Sequence, residues 1–296
     1  MNIYDQIGNN KFKTVFYIGV FLIFIIALGW LFSYIYHSPA ILIIAIIIAV
    51  VQSMTSYFWG DVVALAMTHA QAAKKSDSPD LFRIVENLAI TAGIPVPKIY
   101  IINDDSPNAF ATGRDPEHSS IAVTSGLLSI MDKNEVEGVI AHELSHIGNH
   151  DSLLMVVIVV LVGVVAIASN LFFRVGFWGG FGDDRESGNS GGIMLIIGII
   201  MAILAPIAAT LIQLAISRKR EYLADANGAL LTRYPEGLAN ALRKISAYKQ
   251  PVRFANDATS LLFIMNPTKK RSWFSGLFDT HPPVEERIKA LEAMAE

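Results

Sequence analysis

Four uncharged apolar runs, at 15–36, 40–57, 153–173 and 193–216, restrict what this chain can fold into more than any other feature. Each holds about 18 to 24 residues, against the roughly 20 that cross a hydrocarbon core about 30 Å thick. Lipid offers the backbone no hydrogen-bond partners, so runs of this kind that enter a membrane do so as helices. Pro206 falls inside the fourth run, where it kinks a membrane helix without forbidding it. The competing reading, buried helices of a large soluble core, applies most to the last pair of runs. The first run is too long for a signal-peptide core, and no small-residue cleavage site follows it, so it reads as a retained anchor.

Lysine and arginine near the spans set the expected orientation. Lys11 and Lys13 precede the first run, Lys74 and Lys75 follow the second, and Arg218, Lys219 and Arg220 follow the fourth. The turn at His37 to Pro39 carries no basic residue, and in the loop 174–192 Asp183, Asp184 and Glu186 offset Arg174 and Arg185. The expectation is a cytosolic amino terminus (1–14), two transmembrane helices (15–59), a first soluble part (60–152), two further hydrophobic helices (153–216) and a second soluble part (217–296). Both soluble parts then face the cytosol and are large enough together for one core.

Within them, Leu81, Ile84, Val85 and Leu88 give 79–91 an amphipathic helical spacing, closed by Gly93 and two prolines. Short strands are expected at 98–102, 109–112 and 120–124, and helices at 221–231, 235–248 and 283–294. The irregular stretch 256–279 is expected as a loop near the functional site. The fold class expected from these runs is a mainly α integral membrane protein with four transmembrane helices and a soluble α+β domain containing a small β-sheet.

His142, Glu143 and His146 stand in the run His-Glu-Leu-Ser-His. A helix advances about 100° per residue, so imidazoles four apart lie one turn above each other and can grip one divalent ion, with Glu143 beside it. Chance supplies about 0.007 such matches in a chain of this composition. Asp132 or Asn134 can cap the helix start, and Val136, Val139, Ile140 and Leu144 give it an apolar face. A catalytic zinc ion takes three protein ligands and keeps one position for water. The chain has no cysteine, so the third ligand must be an imidazole or a carboxylate. Glu221 is the best candidate, with Asp225 one turn later placed to accept a ring N–H from a ligand histidine. The competing reading of this pair is a solvated helix face beside Arg218, Lys219 and Arg220. A straight helix from His146 to Leu153 spans about 10 Å, which puts both ligand sets just outside the bilayer. On such a helix His150 lies too far to share the ion, and His150 and Asp151 read as polar residues at the membrane interface.

On these residues the chain resembles the HtpX heat-shock membrane metallopeptidases, relatives of the endopeptidases that process prenylated CAAX proteins. The resemblance covers nearly the whole length: the paired amino-terminal spans, Asn108-Ala-Phe-Ala, Ala141-His-Glu-Leu-Ser-His, Arg220-Glu-Tyr-Leu-Ala-Asp, and His281-Pro-Pro followed by Arg287. It implies that the soluble α+β domain is a gluzincin-like zinc peptidase domain, with one zinc ion per chain held by His142, His146 and Glu221, catalysis by Glu143, oxyanion stabilisation by His281 and a site shaped by Arg287. Asn108, Ala109, Phe110 and Ala111 read as an exposed strand edge, which in peptidases of this kind binds substrate in extended form. The resemblance also implies protein substrates, namely damaged or misassembled membrane proteins, cut on the cytosolic side of a bacterial inner membrane.

Other classes fit less well. An intramembrane protease needs its metal motif inside a lipid-embedded helix, yet Glu135, Glu137, Asn149 and Asp151 flank this one. A membrane channel or scaffold with a structural or vestigial metal site is the alternative from another class, and the uncharged spans argue against transport because they mark no ion pathway. The formal charge of -3 points away from nucleic acid.

Overall fold

A computed structural model describes residues 3–35, 37–161, 218–248, 250–253, 259–265 and 282–295. Helices α1 (Ile3–Ile35) and α2 (Pro39–Phe58) form a hairpin whose turn places His37 at a φ of 49°. Only 17% of the most apolar window of each is buried, and Ile43, Ile44, Ile47 and Val51 face outward. So large an exposed aliphatic surface is stable only in lipid. Among the described residues these are the two helices long and apolar enough to cross a membrane. The expected count of four spans is therefore supported for its first pair. The run 193–216 and the loop 174–192 lie outside the described residues, and the run 153–173 is described only as far as Leu161.

A short helix α3 (Gly60–Met67) leads into the soluble part, followed by β1 (Gln71–Ala72), α4 (Pro79–Ala92), β2 (Lys98–Ile102), β3 (Ala109–Gly113), β4 (Ser119–Thr124) and α5 (Ser125–Ile130). Gly93, at a φ of 67°, ends α4 in a left-handed cap that other residues adopt only at a cost. The sheet order is β1-β2-β4-β3, with β2 and β4 parallel and the other pairs antiparallel. Strand alternation sends Ala109, Ala111, Ile121 and Val123 into one core with α4 and the helices described next. Ile102, Phe110 and Ala122 point the other way, against Leu154, Ile158 and Phe263. Both faces are covered, which explains why β3 and β4 are buried at every position.

Helix α6 (Lys133–Gly148) carries the His-Glu-x-x-His run. Asp132 accepts from the Glu135 N–H and Glu135 returns a bond to the Asp132 N–H, a capping box that fixes the helix start. The expected straight continuation into the membrane does not occur. The chain turns by 83° into α7 (Asp151–Leu161), with His150 at a φ of 56°. The break survives because carbonyls freed by it find other partners, Asn149 O receiving the Asn10 amide at 3.0 Å. From α7, Val157 O and Val160 O accept bonds from Ser56 and Gln52 of α2, so α7 packs along the hairpin.

After the undescribed stretch come α8 (Arg218–Thr232), α9 (Pro235–Ala247) and α10 (Val284–Glu292). Two glycines let these helices close on α6. A Cβ at Gly138 would lie 2.6 Å from Leu238 N, and one at Gly228 would lie 3.1 Å from His142 N. Gly138→Ala should cost about 1–3 kcal/mol through overpacking, seen as a lower midpoint in denaturant or heat for the detergent-purified protein. An unchanged midpoint would mean that α6 and α9 are not this close.

Candidate metal centre

Four residues of α6 and α8 meet because α6 presents two imidazoles and a carboxyl, those of His142, His146 and Glu143, to a turn of α8 that presents the carboxyl of Glu221. His142 Nε2 and His146 Nε2 lie 3.1 Å apart and point at the same spot. Glu221 Oε1 is 3.6 Å from His146 Nε2, and Glu221 Oε2 is 3.9 Å from His142 Nε2. The three side chains are buried, and their ligand atoms all fall within 4.8 Å of one another. Two nitrogens each about 2.0–2.1 Å from a tetrahedral zinc ion are themselves roughly 3.3 Å apart, so the set has the right size and chemistry for such an ion. Glu143, buried next to the group, keeps its Oε1 without a hydrogen-bond partner. A polar atom of this kind is retained where a further group is to be bound.

Each imidazole turns its other nitrogen to a carboxylate. His142 Nδ1 approaches Asp225 Oδ1 to 2.9 Å, although not along the line of a good hydrogen bond. His146 Nδ1 lies 3.2 Å from Asp151 Oδ2. This arrangement fixes Nε2 as the outward ligand atom on both rings. Arg287, 1% exposed, grips Asp225 with two bonds of 2.8 and 2.7 Å and approaches Glu221 Oε2 to 3.6 Å. Its remaining arm donates to Ile264 O at 3.0 Å.

A model of peptidase family M48 matches residues 75–295. The chain belongs to peptidase family M48. It is 44% identical over 296 residues to a Protease HtpX homolog of Caldanaerobacter subterraneus subsp. tengcongensis, covering 99% of this chain and 98% of that one. A Protease HtpX homolog of Ligilactobacillus salivarius is 42% identical over 296 residues, covering 99% of this chain and 100% of its own. The crystal structure of S. mikatae Ste24p superposes with a TM-score of 0.50 at 18% identity, over 98% of this chain and 66% of that longer one. The likeness to Ste24p shows a shared fold. Membership of M48 and the HtpX relatives make the chain a membrane-associated metallopeptidase.

Within this M48 site, burial decides the direction for Glu143 and His142, and charged partners reverse it for His146 and Asp225. It raises the Glu143 carboxyl to about 7, an effect that His146 opposes and Glu221 reinforces. Burial would depress His146, but the bond to Asp151 and the charge of Glu221 outweigh it and raise the ring to about 9. His142 goes the other way, held below its usual range by burial despite Asp225. Burial would raise Asp225, yet the Arg287 guanidinium holds it low.

Of the residues picked out in the sequence, His142, Glu143, His146, Glu221, Asp225 and Arg287 come together. His281 lies outside the described residues. Asn108 to Ala111 begin the last strand of the sheet, as expected of an edge, but they are buried rather than exposed. The cover comes from the segment 259–265: Ile264 N–H donates to Ala109 O at 2.9 Å, and Asn108 donates to Met265 O at 3.0 Å. Ala111 supplies a backbone bond to Glu143. Asp151 is the functional residue that the sequence reading missed. Its only signal is a carboxylate five residues beyond a ligand histidine, and a straight helix points it away.

Asp151→Asn should weaken metal binding about 10–100-fold, measured by zinc competition against a chromophoric chelator; wild-type affinity would remove Asp151 from the centre. Binding should also weaken on acidification between about pH 8 and pH 6, because His146 holds its proton up to about 9 and must lose it to bind a cation. A pH-independent affinity would contradict that assignment.

Proposed function

We propose that this chain is a zinc-dependent endopeptidase that cuts misfolded or damaged membrane proteins on the cytosolic side of a bacterial inner membrane. The observation that carries the reading is the buried His142, His146 and Glu221 cluster beside a carboxyl group with one free oxygen. His142, His146 and Glu221 would hold a zinc ion, which would supply Lewis acidity toward the scissile carbonyl and an attacking water. Glu143 Oε1 is the atom placed to take the proton from that water and pass it to the leaving amine. With no cation beside it, burial holds this carboxyl up at about 7, and the charge of a bound zinc ion would draw it down toward the ionised form that a base needs. Asp225 and Asp151 keep the two rings from rotating, and Arg287 neutralises Asp225 so that burying it is tolerable.

Strand β3 runs past the base, with Ala111 bonded to Glu143, so a peptide that took the place of segment 259–265 along Asn108 to Ala111 would pass the reacting groups. Main-chain pairing tolerates many side chains, which fits an enzyme that removes unfolded segments rather than one sequence. His281 would stabilise the oxyanion. The orientation rests on Lys11, Lys13, Lys74 and Lys75 at the soluble ends of the hairpin.

Glu143→Gln should keep its metal and lose casein cleavage by about 100-fold or more, measured on detergent-purified protein. Cleavage at the wild-type rate would defeat the mechanism. Tags placed near residue 100 and after Glu296 should both be shielded from an impermeant label in intact cells; labelling of either would reverse the orientation.

A further inference from the structure

The first turns of α1 precede its apolar run, and one of their side chains is buried far from any lipid role. Asn10 is 4% exposed. Its Nδ2 donates to Asp151 Oδ1 at 2.7 Å and to Asn149 O at 3.0 Å, using both amide hydrogens on the break between α6 and α7. Its Oδ1 faces Arg220 Nη1 at 3.4 Å, and Arg220 Nε in turn lies 3.3 Å from Asp151 Oδ1. The other oxygen of Asp151 is the one that meets His146 Nδ1. Asn10 thus bonds directly to the carboxylate that orients a ligand ring and to Arg220, the residue preceding ligand Glu221.

We propose that Asn10 is a positioning residue of the metal centre, through which the amino-terminal membrane helix holds Asp151 and thereby the ring of His146. The inference rests on the metallopeptidase reading above. Asparagine suits the position chemically. Two acceptors, a carbonyl and a carboxylate, must be met by two donors, and a cation by an acceptor, from a single short side chain. Without those donors the Asn149 carbonyl is left buried and unpaired, and Asp151 is free to follow Arg220 instead of His146. The arrangement also explains why a chain whose catalytic helix could end in an ordinary loop instead packs against its own anchor. Asn10 lies five residues, about 8 Å of helix, before the apolar run at Val15, so the same contact sets the height of the centre above the lipid.

The test compares full-length protein in detergent carrying Asn10→Asp, Asn10→Ala and, as a control for charge, Asn9→Asp on the exposed neighbouring position. Aspartate keeps the shape and the acceptor toward Arg220 but removes both donors and sets a carboxylate against Asp151. Asn10→Asp should lower kcat by about tenfold or more with KM little changed, weaken zinc binding to a similar degree, and shift the visible absorption of the cobalt-substituted protein. Asn9→Asp should match wild type in all three. A cobalt spectrum and kcat for Asn10→Asp equal to wild type would overturn the proposal. So would an Asn10→Ala variant more damaged than Asn10→Asp, which is the order expected if the residue only fills space. Failure of the wild type itself to bind metal would instead overturn the peptidase reading on which this one stands.

Discussion

Buried charge that must be balanced governs this molecule. Among the described residues the fold places around one point four buried carboxylates, Glu143, Asp151, Glu221 and Asp225, against two buried guanidinium groups, those of Arg220 and Arg287. Unpaired buried charge is costly, so the shortfall of positive charge has to be met. Without a cation the groups meet it with protons: Glu143 is pushed up to about 7 and His146 to about 9. A divalent cation between the two imidazoles and Glu221 would make up the deficit and leave Glu143 ionised for proton transfer. Structure and chemistry therefore ask for the same thing at the same place.

The rest of the architecture serves that point. The capping box at Asp132 starts α6, and Gly138 and Gly228 allow α9 and α8 to close on it without intervening side chains. α10 contributes Arg287 from behind, and the sheet brings β3 alongside Glu143. From the membrane side, α1 and α7 supply Asn10 and Asp151. The centre is assembled from the anchor as well as from the soluble part, so in this M48 peptidase the membrane hairpin is more than a tether.

What could be read in the sequence was local. Helix α4 is legible because Leu81, Ile84, Val85 and Leu88 fall at helical spacing and Gly93 stops it, and the strand 98–102 matches its β-branched run. His142 and His146 are legible because both lie on one helix four residues apart. Glu221 followed from the need of the metal for a third ligand, which is chemistry rather than pattern. The break at Asn149–His150 was not legible: Gly148 closes α6 without taking a positive φ, and the left-handed conformation falls instead on His150, a residue that rarely adopts it. The pairing of Asp151, which reads in sequence as a polar residue at the membrane interface, with Asn10 is equally illegible, the two being separated by 141 positions and joined only in the folded state. The cover that 259–265 lays over β3 likewise depends on packing that no short window of sequence contains.

X-ray absorption at the zinc edge, recorded on wild-type protein purified with the metal it acquires in the cell, tests the central claim most directly. The account predicts about one zinc per chain, with two imidazole nitrogens near 2.0–2.1 Å, oxygen completing the shell and no sulfur. A metal-free protein, or a bound metal showing no histidine scattering, would contradict it.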